Sequence, residues 1–173
     1  MARRLLGGCH VPHVTLEYII MIPVLILQIL LFPVVASVLM NGWVVQRRTL
    51  ALQEAGSAIG STIQQMYFEV NQATVPAGTT TDQFALPPFI DGYYYTAKAT
   101  LQSGGSSSNS GQILTITLTL VSAAVKATSQ VILGANAQWN ISTTFVSNSP
   151  NTTAFAVKVQ NGASTTINLG FGG

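Results

Sequence analysis

The strongest constraint on this chain is the run Thr15 to Met40, TLEYIIMIPVLILQILLFPVVASVLM, in which only Gln28 and Ser37 are polar between Tyr18 and Met40. About 20 consecutive apolar residues are enough for a helix to cross roughly 30 Å of hydrocarbon. A segment apolar on every side must bury its surface in lipid or among other apolar segments. Proline at 23 and 33 would break a water-exposed helix. In apolar surroundings neighbouring groups can shield the freed carbonyls, so bends rather than termination are expected. Glu17 stands at the N-terminal edge of the run. A carboxylate at the margin of an apolar helix is costly to dehydrate and marks a partner or a function.

Residues 1–13, MARRLLGGCHVPH, form a basic leader before this run. A secretory signal would carry a shorter apolar core followed by a small-residue cleavage site, and no such site follows closely here. Cleavage before the helix, between Gly8 and Cys9 or nearer His13, would instead leave the helix in the mature protein.

Downstream of Met40 the pattern changes. Trp43 and the pair Arg47–Arg48 suit a membrane–water boundary. Beyond them Leu52, Ala55, Ile59, Ile63, Met66 and Val70 recur at steps of three and four, which places them on one helical face. The reading is one helix over 14–72, apolar all round over 14–45 and amphipathic over 46–72, roughly 85 Å long at about 1.5 Å per residue. Val75-Pro76-Ala77-Gly78 and the threonines after it close the helix and open a loop.

From 73 to 173 a β-rich head is expected, because the period becomes two. Ile113 to Leu120 alternates apolar residues with threonine. Further candidate strands are 93–101, 123–133, 138–146, 153–159 and 164–169. They are separated by turn-rich stretches such as Ser103 to Gly111 and by Asn161-Gly162, which suits a type I′ hairpin. Successive strands without intervening helices give an α+β chain in which the long helix packs on an antiparallel, sandwich-like domain. One face of that domain is expected to dock on the Leu52–Val70 stripe. At least one of Tyr93, Tyr94 and Tyr95 should lie in the core, since a strand turns alternate rings to opposite faces.

Charged residues make up 7% of the chain, against about 25% in soluble globular proteins, while 14 Ser and 19 Thr supply the polarity. Such a surface suits the cell exterior. The net charge of +2 is scattered, so nucleic-acid binding has no electrostatic footprint. Both histidines, His10 and His13, and the sole cysteine, Cys9, lie in the leader. The head therefore offers no acid–base, nucleophilic or metal-ligand cluster, and neither an enzyme nor a cofactor is expected. Asn140-Ile141-Ser142 and Asn151-Thr152-Thr153 match the N-glycosylation pattern, making Asn140 and Asn151 candidate acceptors in an exported protein.

In order, these features resemble type IV pilin-like proteins. Leu16-Glu17-Tyr18-Ile19-Ile20-Met21-Ile22-Pro23 looks like the Glu-aromatic opening of TadE-like pseudopilins, and Gln46 to Ala55 is similar to the segment after their apolar helix. The low-charge β head and its sequons look like those of archaeal adhesion pilins. The resemblance covers residues 13–60 and implies a homopolymeric extracellular filament. Its subunits wait in the membrane and are handled by a prepilin peptidase and an assembly machinery, and the head can meet host or surface ligands. It also implies an assembly role for Glu17, within a segment that includes Pro23, Gln28 and Pro33. The chain departs from the common pattern in one respect, since a cut after Gly8 would make Glu17 the ninth residue. Two other readings stay open: a single-pass, membrane-anchored surface binding protein, and a minor pseudopilin of a pilus or secretion system.

Overall fold

The structure is a computed structural model that describes the backbone of residues 13–103, 111–150, 152–162 and 164–172, with side chains from Tyr18 onward. Among these residues the chain forms one helix and eight strands: α1 (His13–Val70), β1 (Gly78–Gln83), β2 (Tyr95–Ser103), β3 (Gln112–Leu120), β4 (Lys126–Leu133), β5 (Ala137–Trp139), β6 (Phe145–Val146), β7 (Thr153–Asn161) and β8 (Ser164–Gly172). The architecture is α+β, as expected. Helix α1 runs through Pro23 and Pro33 without interruption. Two compact units divide at Val44/Val45, so the head takes in the second part of α1 together with all the strands.

Within the head, β1-β7-β8-β5 and β4-β3-β2-β6 form two four-stranded sheets. The stripe Leu52, Ala55, Ile59, Ile63, Met66 and Val70 is buried throughout and shares one core with Ile116, Leu118 and Leu120 of β3, Val131 of β4, Ala156 of β7 and Ile167 of β8. Two glycines set how closely helix and sheet approach. A Cβ at Gly56 would lie 2.8 Å from Leu118 Cδ1, and one at Gly60 would lie 2.5 Å from Val131 Cγ2. The glycines stand four residues apart on the buried face, so the helix backbone rests directly on β3 and β4. Polar ties flank this contact. Gln64 Nε2 donates to the Ile132 carbonyl at 3.1 Å, Tyr67 Oη donates to Asn136 Oδ1 at 2.5 Å, and Asn136 Nδ2 donates to Asn71 Oδ1 at 2.8 Å.

The two sheets meet through aromatic rings. Phe145 of β6 and Phe171 of β8 lie 5.8 Å apart, and Phe84 packs edge-on against both, at 5.4 and 6.2 Å. Of the tyrosine triplet, Tyr95 is fully buried whereas Tyr93 and Tyr94 remain partly exposed. Tyr95 Oη donates to the Pro87 carbonyl at 3.0 Å. Its amide and the Pro88 carbonyl both bond Ser147 Oγ, which fixes the Pro87–Pro88 loop over the core.

The strand reading needs four corrections. The stretch after Gly78, expected as loop, is strand β1, paired antiparallel with β7 from Gly78↔Lys158 to Gln83↔Thr153. It is exposed along its whole length and so carries no alternation to betray it. The single strand expected over 138–146 is two strands in different sheets. Asn140 breaks it, its Oδ1 accepting from the Ser142 amide and hydroxyl while its carbonyl accepts from Thr143. The sandwich is also not wholly antiparallel, since β5 runs parallel to β8. Finally, the closing pair of the last hairpin is Asn161↔Ser164, which places Gly162, with φ 61°, at the first position of the turn rather than the second. The long loop expected after β2 falls largely on residues 104–110, outside the described residues.

Two outcomes follow from this packing. Gly60→Val drives two γ-methyls into Val131, and denaturant unfolding of the head should show a loss of about 1–3 kcal/mol, the usual cost of overpacking. Burial pushes the Tyr95 hydroxyl from 10.0 up to about 12. Between pH 10 and 12 the folded chain therefore holds a proton that the unfolded chain has released, and stability falls as pH rises, by at most about 1.4 kcal/mol per pH unit. Alkaline melting curves should show this fall, and Tyr95→Phe should flatten it.

Candidate functional site

Nearly every residue of α1 from Tyr18 to Val44 is exposed, Ala36 alone being half-buried. Phe32 reaches 78% exposure, and Ile19, Leu27, Ile29, Leu30, Val38 and Leu39 all exceed 60%. Apart from the carbonyls that Pro23 and Pro33 leave without an N–H donor, helix backbone groups bond within the helix, so what this surface chiefly lacks is an apolar neighbour. The segment is long and apolar enough to cross a membrane. Ser37 satisfies its own hydroxyl by donating to the Val34 carbonyl at 3.0 Å. Gln28 is exposed at the middle of the run, and Pro23 and Pro33 lie inside the helix. Glu17 falls in α1 by its backbone, but its side chain lies outside the described residues.

At the N-terminal edge of the head, Arg47 and Arg48 converge on one carboxylate. Arg48 Nε donates to Asp91 Oδ2 at 3.2 Å, and Arg47 Nη2 stands 3.6 Å from Asp91 Oδ1. The Arg48 guanidinium also covers the Tyr93 ring, 5.1 Å from its centroid. What delivers Asp91 is a tight turn: Ile90 and Tyr93 exchange both backbone bonds, and Asp91 and Gly92 between them have φ of 48° and 81°. Positive φ at both central positions is the type I′ geometry that Asp-Gly favours. That dipeptide was a readable turn signal, although nothing local connected it with arginines 43 residues away.

Lys158, buried in the head, donates from its ammonium to the Gln72 carbonyl at 2.6 Å and to the Val75 carbonyl at 2.7 Å. These carbonyls belong to the chain as it leaves the helix, where helical partners run out and a positive charge is favoured. Of the two sequons, Asn140 is exposed on the turn between β5 and β6, while Asn151 lies outside the described residues. A hollow of about 400 Å³ is lined by Ser142, Thr143, Thr144, Ser149 and Thr152 together with Phe145 and Phe171. Among the described residues no three His, Cys, Asp or Glu side chains lie together as metal ligands would. Comparison of the chain with protein-family models, curated proteins and solved structures gave no match.

Asp91→Asn keeps a residue that tolerates positive φ while removing the charge. It should lower head stability by about 0.5–1 kcal/mol, and thermal melts in about 1 M salt should erase the difference, because screening removes what surface ion pairs contribute.

Proposed function

We propose that this chain is a structural subunit of an extracellular type IV pilus-like filament, polymerising through its apolar helix and presenting its β head outward. The observation that carries the reading is the exposed apolar surface of Tyr18–Met40, which has no counterpart among the described residues. Compatible with insertion in a membrane, that surface is equally satisfied among like helices. Assembly then moves it from one apolar medium to another without exposing it to water.

The head's composition supports an outward position, with hydroxyl side chains in place of charges. Arg47 and Arg48 are engaged by Asp91 and Tyr93, so they serve the head's own structure. Arginine pairs flank the apolar run at both ends, Arg3–Arg4 and Arg47–Arg48, so charge alone does not orient the helix, and the outward head follows from the filament reading. The head acts by contact rather than by catalysis, with surface ligands and, at Asn140, a glycan as its partners. The resemblance to pilins adds a prepilin peptidase and an assembly machinery that receive the membrane-inserted form through Glu17.

Surface filaments sheared from cells and examined by electron microscopy and mass spectrometry should contain this polypeptide as a main component. Glu17→Ala should reduce filament yield at least tenfold while leaving the head's protease resistance unchanged. Recovery of the chain solely as a membrane-bound monomer would instead assign it to the single-pass surface anchors.

A further inference from the structure

Helix α1 carries two unmatched polar groups in the middle of its apolar run. The side-chain amide of Gln28 makes no hydrogen bond with any described residue. Pro33 has no N–H to give the carbonyl of Ile29, four residues earlier. Both lie near the centre of Tyr18–Met40, where neither headgroups nor water reach, and unsatisfied polar groups at that depth are the contacts that hold apolar helices together. Other polar features of the run differ. Ser37 is satisfied within its own helix, and the carbonyl that Pro23 frees belongs to Ile19, at the edge of the run beside Tyr18.

The two groups cannot serve each other within one chain. Gln28 and Ile29 are consecutive and so roughly 100° apart around the helix, and a helical side chain leans toward the N-terminus while the backbone carbonyl points toward the C-terminus. The Ile29 carbonyl points along the axis toward Pro33, so donor and acceptor look out from different faces at nearly the same height. A second copy at the same depth presents the complement of each.

We propose that the Gln28 side-chain amide of one copy donates to the Pro33-freed Ile29 carbonyl of a neighbouring copy, so that α1 joins its like through two different faces. The inference rests on the filament reading and deepens it. A contact between unlike faces is heterologous, and unless its rotation closes a ring it continues indefinitely, whereas a pairing of Gln28 with Gln28 would close as a dimer. Position 28 thereby sets the form of the assembly as well as its strength.

The test uses the full chain in phosphatidylcholine vesicles, labelled with donor or acceptor fluorophores at the sole cysteine, Cys9, with energy transfer followed against protein-to-lipid ratio. Gln28→Met keeps the acceptor and loses the donor, while Pro33→Ala keeps the donor and restores a helical partner to the acceptor. Each variant alone should self-associate about tenfold more weakly than the parent chain, as expected for one interhelical hydrogen bond in lipid. Mixed together, Pro33→Ala chains should associate with Gln28→Met chains more strongly than either does with itself, because one intact pairing is regained. Pro23→Ala should leave association unchanged. No gain on mixing would overturn the inference while leaving the filament reading in place. A parent chain that stays monomeric at every protein-to-lipid ratio would also overturn the inference, whereas absence of the chain from sheared surface filaments would overturn the reading beneath it.

Discussion

Everything in the head depends on the helix backbone being allowed to touch the sheet. Because Gly56 and Gly60 carry no side chains, Leu118 and Val131 pack onto the helix itself, and the flanking residues Leu52, Ala55, Ile59 and Ile63 fill the space on either side. Side chains at those two positions would hold β3 and β4 away and leave the stripe partly wet. The ring cluster of Phe84, Phe145 and Phe171 then joins the second sheet to the same core. A domain with so few charges has little but apolar burial and backbone pairing to hold it. Close approach at two glycines therefore matters more here than any ion pair.

One helix thus supports two kinds of surface. From Leu52 to Val70 its apolar residues occupy one face and are buried within the chain, while from Tyr18 to Val44 they surround it and stay exposed. The first arrangement makes a self-sufficient fold. The second requires an apolar environment supplied from outside, by lipid or by other molecules, and this asymmetry is what the proposed filament role explains.

Much of this was readable from the residues alone, for definite reasons. The helix declared itself by apolar length and then by three-and-four spacing, and every residue of its stripe is buried, although the buried face also takes in Gly56, Gly60 and Tyr67. Strand β3 was visible because ILTITLTL has one buried and one wetter side. Strand β1 was not, because it is wet on both sides and owes its existence to β7 alone. The division of 138–146 turned on the Asn140 side chain, whose local hydrogen bonds outcompeted strand pairing over a stretch that still looked like a strand. The contacts of Arg48 with Asp91 and of Lys158 with the chain after the helix depend on long-range topology, which no local pattern encodes. Gly56 and Gly60 could have been found as small residues beside an apolar stripe, a signal that a search for large residues passes over.

Lys158 gives the head a mechanical axis. Its backbone pairs with Gly78 and Ile167, and its ammonium holds the Gln72 and Val75 carbonyls just past the end of α1. Tension that passed beyond the packed end of α1 would reach β7 at this residue, in a strand bonded on both sides, before it reached the exposed edge strand that follows in the chain. Pulled at the middle of a sheet, a load is shared between two ladders, whereas pulled at β1 alone it would open one ladder a bond at a time. A buried amine that first reads as a helix cap therefore also ties the segment between α1 and β1 to a strand held by two ladders.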